Sequence, residues 1–253
     1  MSGTRFVVIT DGHWGSDRAD WNELGFDGYE DAHDQVRQNI EEIHAEREIE
    51  FIAHCGDATH DDSDLWPGFR EEFLDGLPVA NDDIYCAKGN HDFANEQDWL
   101  DTFGHHPQHS FEYGDYGFIT TNTGAEVGDG DQGRSNESTS ADAGFLQSEI
   151  DAFADDGKRG VIVFQHIAPY DDSGSFPLND EFGVESPDVR EQFARPIVKA
   201  VFMGHNHPKD FREHHDGQTY IYTSRIGGID IADNTRYREI EDFGCYVIEL
   251  ETP

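Results

Sequence analysis

Short apolar runs recur along this chain, and most of them close on a small polar cluster. Phe6-Val7-Val8-Ile9, Phe51-Ile52-Ala53, Val161-Ile162-Val163-Phe164 and Val201-Phe202-Met203 show no polar alternation. Runs of this kind, rich in β-branched and aromatic residues, read as strands covered on both faces. The last three lie in strands predicted near 49–54, 160–165 and 199–203, and further strands are predicted near 83–87, 218–223 and 244–250. Between them the period changes. Val36, Ile40 and Ile43 predict a helix over 31–47, and Phe145, Leu146, Ile150 and Phe153 predict one over 142–156. Shorter helices are expected near 68–75 and 95–103. Ser110–Tyr113 and Gly117–Thr121 flank a hairpin turn at Gly114-Asp115-Tyr116, and Asp216-Gly217 marks another. Polar, glycine-rich loops over 11–30, 124–141 and 168–188 are expected to rim a ligand edge, with 124–141 mobile. No repeat or domain boundary interrupts 1–253, which predicts a single domain. Helix-connected strands followed by hairpins imply a mixed sheet, or two sheets packed face to face with helices outside.

The polar clusters carry the chemistry. They are Asp11-Gly12-His13, Gly56-Asp57, Gly89-Asn90-His91-Asp92, Gln165-His166 and Gly204-His205-Asn206-His207. Strands ending at a common sheet edge would gather them, and ligands bind at that edge in open α/β sheets. In extended backbone, residues i and i+2 share a face, so Asp11 can join His13, and His205 can join His207. Asp11, His13, Asp57, Asn90, His166, His205 and His207 offer oxygen and imidazole donors without thiolate, which suits divalent transition metals. Seven donors exceed one tetrahedral site and suit two ions of higher coordination. A carboxylate such as Asp57 can bridge two cations. Paired ions clamp the attacking and leaving oxygens of an in-line displacement, but give no proton to the leaving alcohol. His91 is placed to supply it or to bind a phosphate oxygen, and Asp92 to fix its tautomer.

Composition narrows the context. Acidic residues number 54 against 17 basic ones, a formal charge of −37 spread along the whole chain. Self-repulsion of that size is screened at about 1 M salt, where the Debye length is roughly 3 Å. The excess therefore reads as adaptation to a high-salt, halophilic cytoplasm. No basic cluster exists to neutralise phosphates, so duplex nucleic acid is not expected as a partner. No run approaches the roughly 20 apolar residues of a membrane span. The first strand follows the start at once, leaving no room for a signal peptide, so a cytoplasmic location is expected. Cys55, Cys86 and Cys245 lack CxxC spacing and read as reduced packing residues.

The ordered set Asp11-x-His13, Gly56-Asp57, Gly89-Asn90-His91-Asp92, His166 and Gly204-His205-x-His207 resembles the calcineurin-like metallophosphoesterase superfamily. Asp11-Gly12-His13-Trp14-Gly15 and the Asp after His91 are closest in style to its small phosphodiesterases, including class III cyclic-nucleotide enzymes. The resemblance implies a four-layer α/β/β/α sandwich. It implies two divalent ions: Asp11, His13 and His207 on one, Asn90, His166 and His205 on the other, Asp57 bridging. Manganese is the first expectation, with iron, zinc, nickel or cobalt as alternatives. His91 would be catalytic, and the reaction would be hydrolysis of a small phosphodiester or phosphomonoester by in-line attack of metal-activated hydroxide. The alternatives are a phosphoprotein phosphatase, disfavoured by the missing Asp-Arg-Gly signature, and a non-catalytic scaffold. His60 replaces the acidic residue common after Gly-Asp-x-x, and is either a partner behind the ligands or a solvated loop residue. Asp61-Asp62-Ser63-Asp64 lacks an EF-hand pattern and reads as solvated surface. His105, His106, His109, His214 and His215 are assigned to surface or hairpin positions. Arg225 could meet a phosphate, and the aromatics of 11–30 are expected to pack that loop down.

Overall fold

The computed structural model describes residues 3–16, 26–124, 139–170, 183–205, 211–215, 218–223, 226 and 244–250. Two mixed sheets form its centre. The first has the order β10-β1-β2-β3, built from β1 (Thr4–Ile9), β2 (Phe51–His54), β3 (Ile84–Cys86) and β10 (Tyr246–Leu250). Only β10 runs antiparallel there. The second has the order β4-β5-β6-β7-β9-β8. Its strands are β4 (His109–Tyr113), β5 (Tyr116–Thr120), β6 (Gly160–Phe164), β7 (Val198–Met203), β8 (Phe211–His215) and β9 (Gln218–Tyr222). The four inner strands are parallel, and β4 and β8 close the edges antiparallel.

Side-chain alternation produces the layers. On β1, Phe6 and Val8 point to one face and Val7 and Ile9 to the other. Phe6, Val8, Phe51 and Ala53 meet Phe118, Ile162, Phe164 and Phe202 between the sheets. Phe6 stacks on Phe51 at 4.6 Å and meets Phe118 edge-on at 5.6 Å. Val7, Ile9 and Ile52 face the outer layer of α1 (Tyr29–Glu46), a helical run over 63–76 and α2 (Glu96–Phe103). Val161, Val163, Val201 and Met203 face α3 (Ala143–Asp155) and α4 (Pro187–Phe193) on the other side. The result is the expected α/β/β/α sandwich. Continuous apolar runs are thus strands whose two faces belong to two different cores.

Helix ends follow local chemistry. Asn95 caps α2 by accepting from the N–H groups of Gln97 and Asp98, and Asp142 caps α3 through Gly144 and Phe145. Gly104 ends α2 in a left-handed conformation, φ 73°. One element departs from expectation: α4 begins at the end of the stretch assigned to a polar loop, 168–188, and runs on to Phe193, where no helix was expected. Its apolar pair Val189 and Phe193 is buried at i, i+4 spacing, and Pro187 sits in the first turn, where its missing N–H costs nothing. Parts of all three expected rim loops, including 17–25, 125–138 and 171–182, lie outside the described residues, as do the turn at Asp216-Gly217 and Arg225. Cys55 and Cys86 are buried, Cys245 is half-buried, and all three are free thiols. Among the described residues, no helix is long and apolar enough to cross a membrane.

Candidate metal centre

The C-terminal ends of β1, β2, β3, β6 and β7 meet at one edge of the sandwich, and each delivers polar residues there. Asp11 and His13 follow β1, Asp57 follows β2, Asn90 and His91 follow β3, His166 follows β6 and His205 follows β7. Main-chain bonds tie the loops together. The Asp11 and His13 N–H groups donate to the carbonyls of Gly56 and Asp57, at 3.0 and 2.9 Å. The His205 N–H donates to the Asp11 carboxylate at 3.1 Å, bridging the two sheets.

Every non-glycine residue with positive φ among those described lies here: Asp11, His13, Asp57, Asp61 and His205, at 44–70°. That conformation costs side-chain-bearing residues of order 1–3 kcal/mol each and persists only where the surroundings enforce it. It turns each side chain back over the strand ends. Gly204 shows the same crowding. A Cβ there would lie 2.5 Å from the Asp11 carboxylate and 2.9 Å from His166 Nδ1.

Two donor groups share one carboxylate. Asp11, His13 and Asp57 offer atoms within 4.8 Å of one another, and so do Asp57, His166 and His205. His166 Nδ1 lies 2.8 Å from the Cys55 carbonyl, which can only accept, so Nδ1 holds the proton and Nε2 faces Asp57 Oδ2 at 2.9 Å. His13 Nε2 lies 3.7 Å from Asp11 Oδ1 and 3.6 Å from Asp57 Oδ2. Asn90 Oδ1 is buried and accepts no hydrogen bond among the described residues. A buried amide oxygen is rarely left so, and costs about 1–3 kcal/mol unless something satisfies it. Convergent carboxylates, imidazole nitrogens and an orphaned amide oxygen fit divalent cations. Burial alone would raise the Asp57 carboxyl, but His166, His91 and His13 hold it well below the usual carboxylate range. Burial would likewise lower His166, yet the Asp57 charge and hydrogen bond push it up to about 9.

His91 is partly accessible, with a side chain 17% exposed. Its Nδ1 lies 2.6 Å from Asp61 Oδ1. Burial opposes protonation of the ring, but the charge of Asp57 and the Asp61 hydrogen bond win, and His91 is raised. Two expectations are corrected here. Asp61 is not solvated surface but the partner of His91, and Asp92 does not set the tautomer of His91. Instead the Asp92 carboxylate accepts four backbone N–H groups: Ala58 and Thr59 on Oδ1, Asp57 and Gly89 on Oδ2, at 2.8–3.1 Å. It staples the Asp57 turn to the Asn90–His91 turn. Burial and the Asp57 charge push its carboxyl up to about 7 against the pull of those donors.

Other histidines sit deeper than the sequence suggested. His60 packs beside His13 and His91, with ring centroids 5.3 and 5.1 Å away. Its place in Gly-Asp-x-x-His was the available signal. His105 is buried and not at the surface; it accepts from the Cys86 N–H at 3.3 Å. His33 and His54, which no spacing singled out, lie behind Gly12, and burial pushes them down to about 4 and about 3. His207 lies outside the described residues.

Comparison with solved structures gives a dimetal phosphatase from Danio rerio at 16% identity and TM-score 0.66, covering 89% of this chain and 88% of that one. A purple acid phosphatase from yellow lupin is also 16% identical, with TM-score 0.59 over 90% of this chain and 45% of its own. A putative 5'-nucleotidase from Staphylococcus aureus follows at 15% and 0.52, covering 89% of this chain and 49% of that one. The chain thus spans about half the length of the latter two, and at these identities the likeness is one of fold. A search of curated proteins finds no match. A family model described as calcineurin-like phosphoesterase matches residues 4–209, from β1 to just past the His205 turn, so the chain belongs to the calcineurin-like metallophosphoesterases.

Proposed function

We propose that this chain hydrolyses a small phosphodiester or phosphomonoester at a two-cation centre, acting as one domain over its whole length. Asp11, His13 and His207 would hold one ion, Asn90, His166 and His205 the other, with Asp57 between them. The observation that carries this reading is the sharing of Asp57 by two separate donor groups beside the orphaned Asn90 oxygen. Two divalent ions, when bound, activate water as a nucleophile and neutralise phosphate oxygens. Manganese heads the candidates, since imidazole, carboxylate and amide oxygen together suit a borderline-hard cation.

The chain's own residues supply the rest. Asp61 holds the His91 ring through Nδ1 and so leaves Nε2 as the nitrogen that could meet substrate. With Nδ1 held by the Asp61 carboxylate, a protonated His91 ring can give its Nε2 proton to the leaving alkoxide. Asp92 keeps the Asp57 and Asn90 turns in register and touches no reacting atom. Nucleotides are a fitting substrate class, since the Staphylococcus neighbour is a putative 5'-nucleotidase. The test is hydrolysis of aryl phosphates, bis-aryl phosphates and cyclic nucleotides by manganese-loaded protein in high salt. Turnover that falls in His91→Ala while metal content holds supports the reading. Absence of turnover on all three, with metal bound, would favour a scaffold.

A further inference from the structure

His60 and Asp61 are consecutive, and between them they touch both ends of the proposed reaction. His60 Nδ1 lies 3.1 Å from His13 Nδ1. Its Nε2 lies 4.0 Å from Asp61 Oδ2, while the other Asp61 oxygen is 2.6 Å from His91 Nδ1. The His60 and His91 rings stack at 5.1 Å and 19°. The His60 side chain is only 8% exposed, so these contacts are made inside the protein.

Proton positions follow from the partners. Two ring nitrogens 3.1 Å apart form a hydrogen bond only if one carries hydrogen and the other does not. His13 turns Nε2 towards the carboxylates of Asp11 and Asp57, so a cation held there needs Nε2 bare and the proton on Nδ1. His60 Nδ1 must then accept, which places the His60 proton on Nε2, the side facing Asp61. A cationic His60 would set two N–H groups against each other.

We infer that His60 is a positioning residue that fixes His13 as an Nε2 ligand through its 3.1 Å contact, while its neighbour Asp61 orients His91. One dipeptide would then set the metal side and the leaving-group side together. The inference rests on the assignment of His13 and His91 given above. Partners behind a metal-bound imidazole fix its tautomer and orientation, and their loss typically weakens metal binding about 10–100-fold.

Manganese affinity, measured by calorimetry or chelator competition, separates the roles without recourse to activity. His60→Leu removes the acceptor and should weaken the tighter or the weaker binding step about 10–100-fold. His60→Asn places an amide oxygen near the position of Nδ1 and should restore most of that loss. Asp61→Asn should leave affinity within a few-fold of wild type. Its kcat should fall on the order of 10–100-fold for alkyl esters and far less for a nitrophenyl ester, whose leaving group needs no proton. Wild-type affinity in His60→Leu, or equal losses in His60→Leu and His60→Asn, would overturn the inference. Failure of the wild-type protein itself to bind manganese would instead overturn the proposed function.

Discussion

Asp92→Asn isolates the staple that joins two of the site's turns. The wild-type carboxylate is buried and accepts two N–H groups on each oxygen. Asparagine keeps the shape but exchanges one oxygen for an NH2 group. Whichever way the amide faces, two backbone donors lose their acceptor: Ala58 and Thr59, or Asp57 and Gly89. A buried donor left unsatisfied costs about 1–3 kcal/mol, so the loss is roughly 2–6 kcal/mol. Removing a charge that lies near Asp57 returns part of it, leaving a net destabilisation of about 2–4 kcal/mol. At roughly 2–4 °C per kcal/mol for a chain of this size, the melting temperature should fall by about 5–15 °C. Metal affinity should fall with it, because the Asp57 N–H and the Asn90–His91 turn share this anchor. Thermal and urea denaturation followed by circular dichroism, with metal titration alongside, provide the assay. If Asp92→Asn melts like wild type and binds metal normally but loses turnover with an altered pH profile, the staple is the wrong role and Asp92 acts on His91.

Three other outcomes follow from the same structure. Gly204→Ala should lose metal binding and stability together, because its Cβ meets Asp11 and His166; normal metal titration would show that the turn has room. His33, His54 and His105 are pushed by burial down to about 4, 3 and 4, so these three rings bind fewer protons in the fold than in the unfolded chain below pH 6.5. Their stabilisation is complete above 6.5 and is lost as pH falls towards 4 for His33 and His105 and towards 3 for His54, by about 2 kcal/mol per ring at pH 5; a urea midpoint that stays flat from pH 7 to 5 would contradict this. The charge of −37 should make the melting temperature rise steeply between 0.1 and about 2 M KCl, while a flat response would remove the high-salt interpretation.

Much of the fold was legible because burial on both faces leaves a plain mark. Phe6-Val7-Val8-Ile9 has no polar position to confuse its period, and its alternate residues go to two separate cores. The helix at 187–193 was missed because two apolar residues, Val189 and Phe193, are all it shows to the core. Ligand candidates were readable because each directly follows a strand. Their surroundings were not. The pairing of His91 with Asp61 joins two turns 30 residues apart, and no spacing in the sequence announces it. Asp92 follows His91 in sequence, which suggested a partnership. The tight turn instead sends its carboxylate back under the Asp57 loop. His33 and His54 carried no motif, and their place behind Gly12 is set by how α1 packs across β2.

Anomalous scattering from a crystal grown with manganese would test the paired-cation centre most directly. Two peaks are predicted at the strand-end edge, one beside Asp11 and His13 and one beside Asn90, His166 and His205, with Asp57 reaching both. A single peak, or peaks away from Asp57, would contradict it.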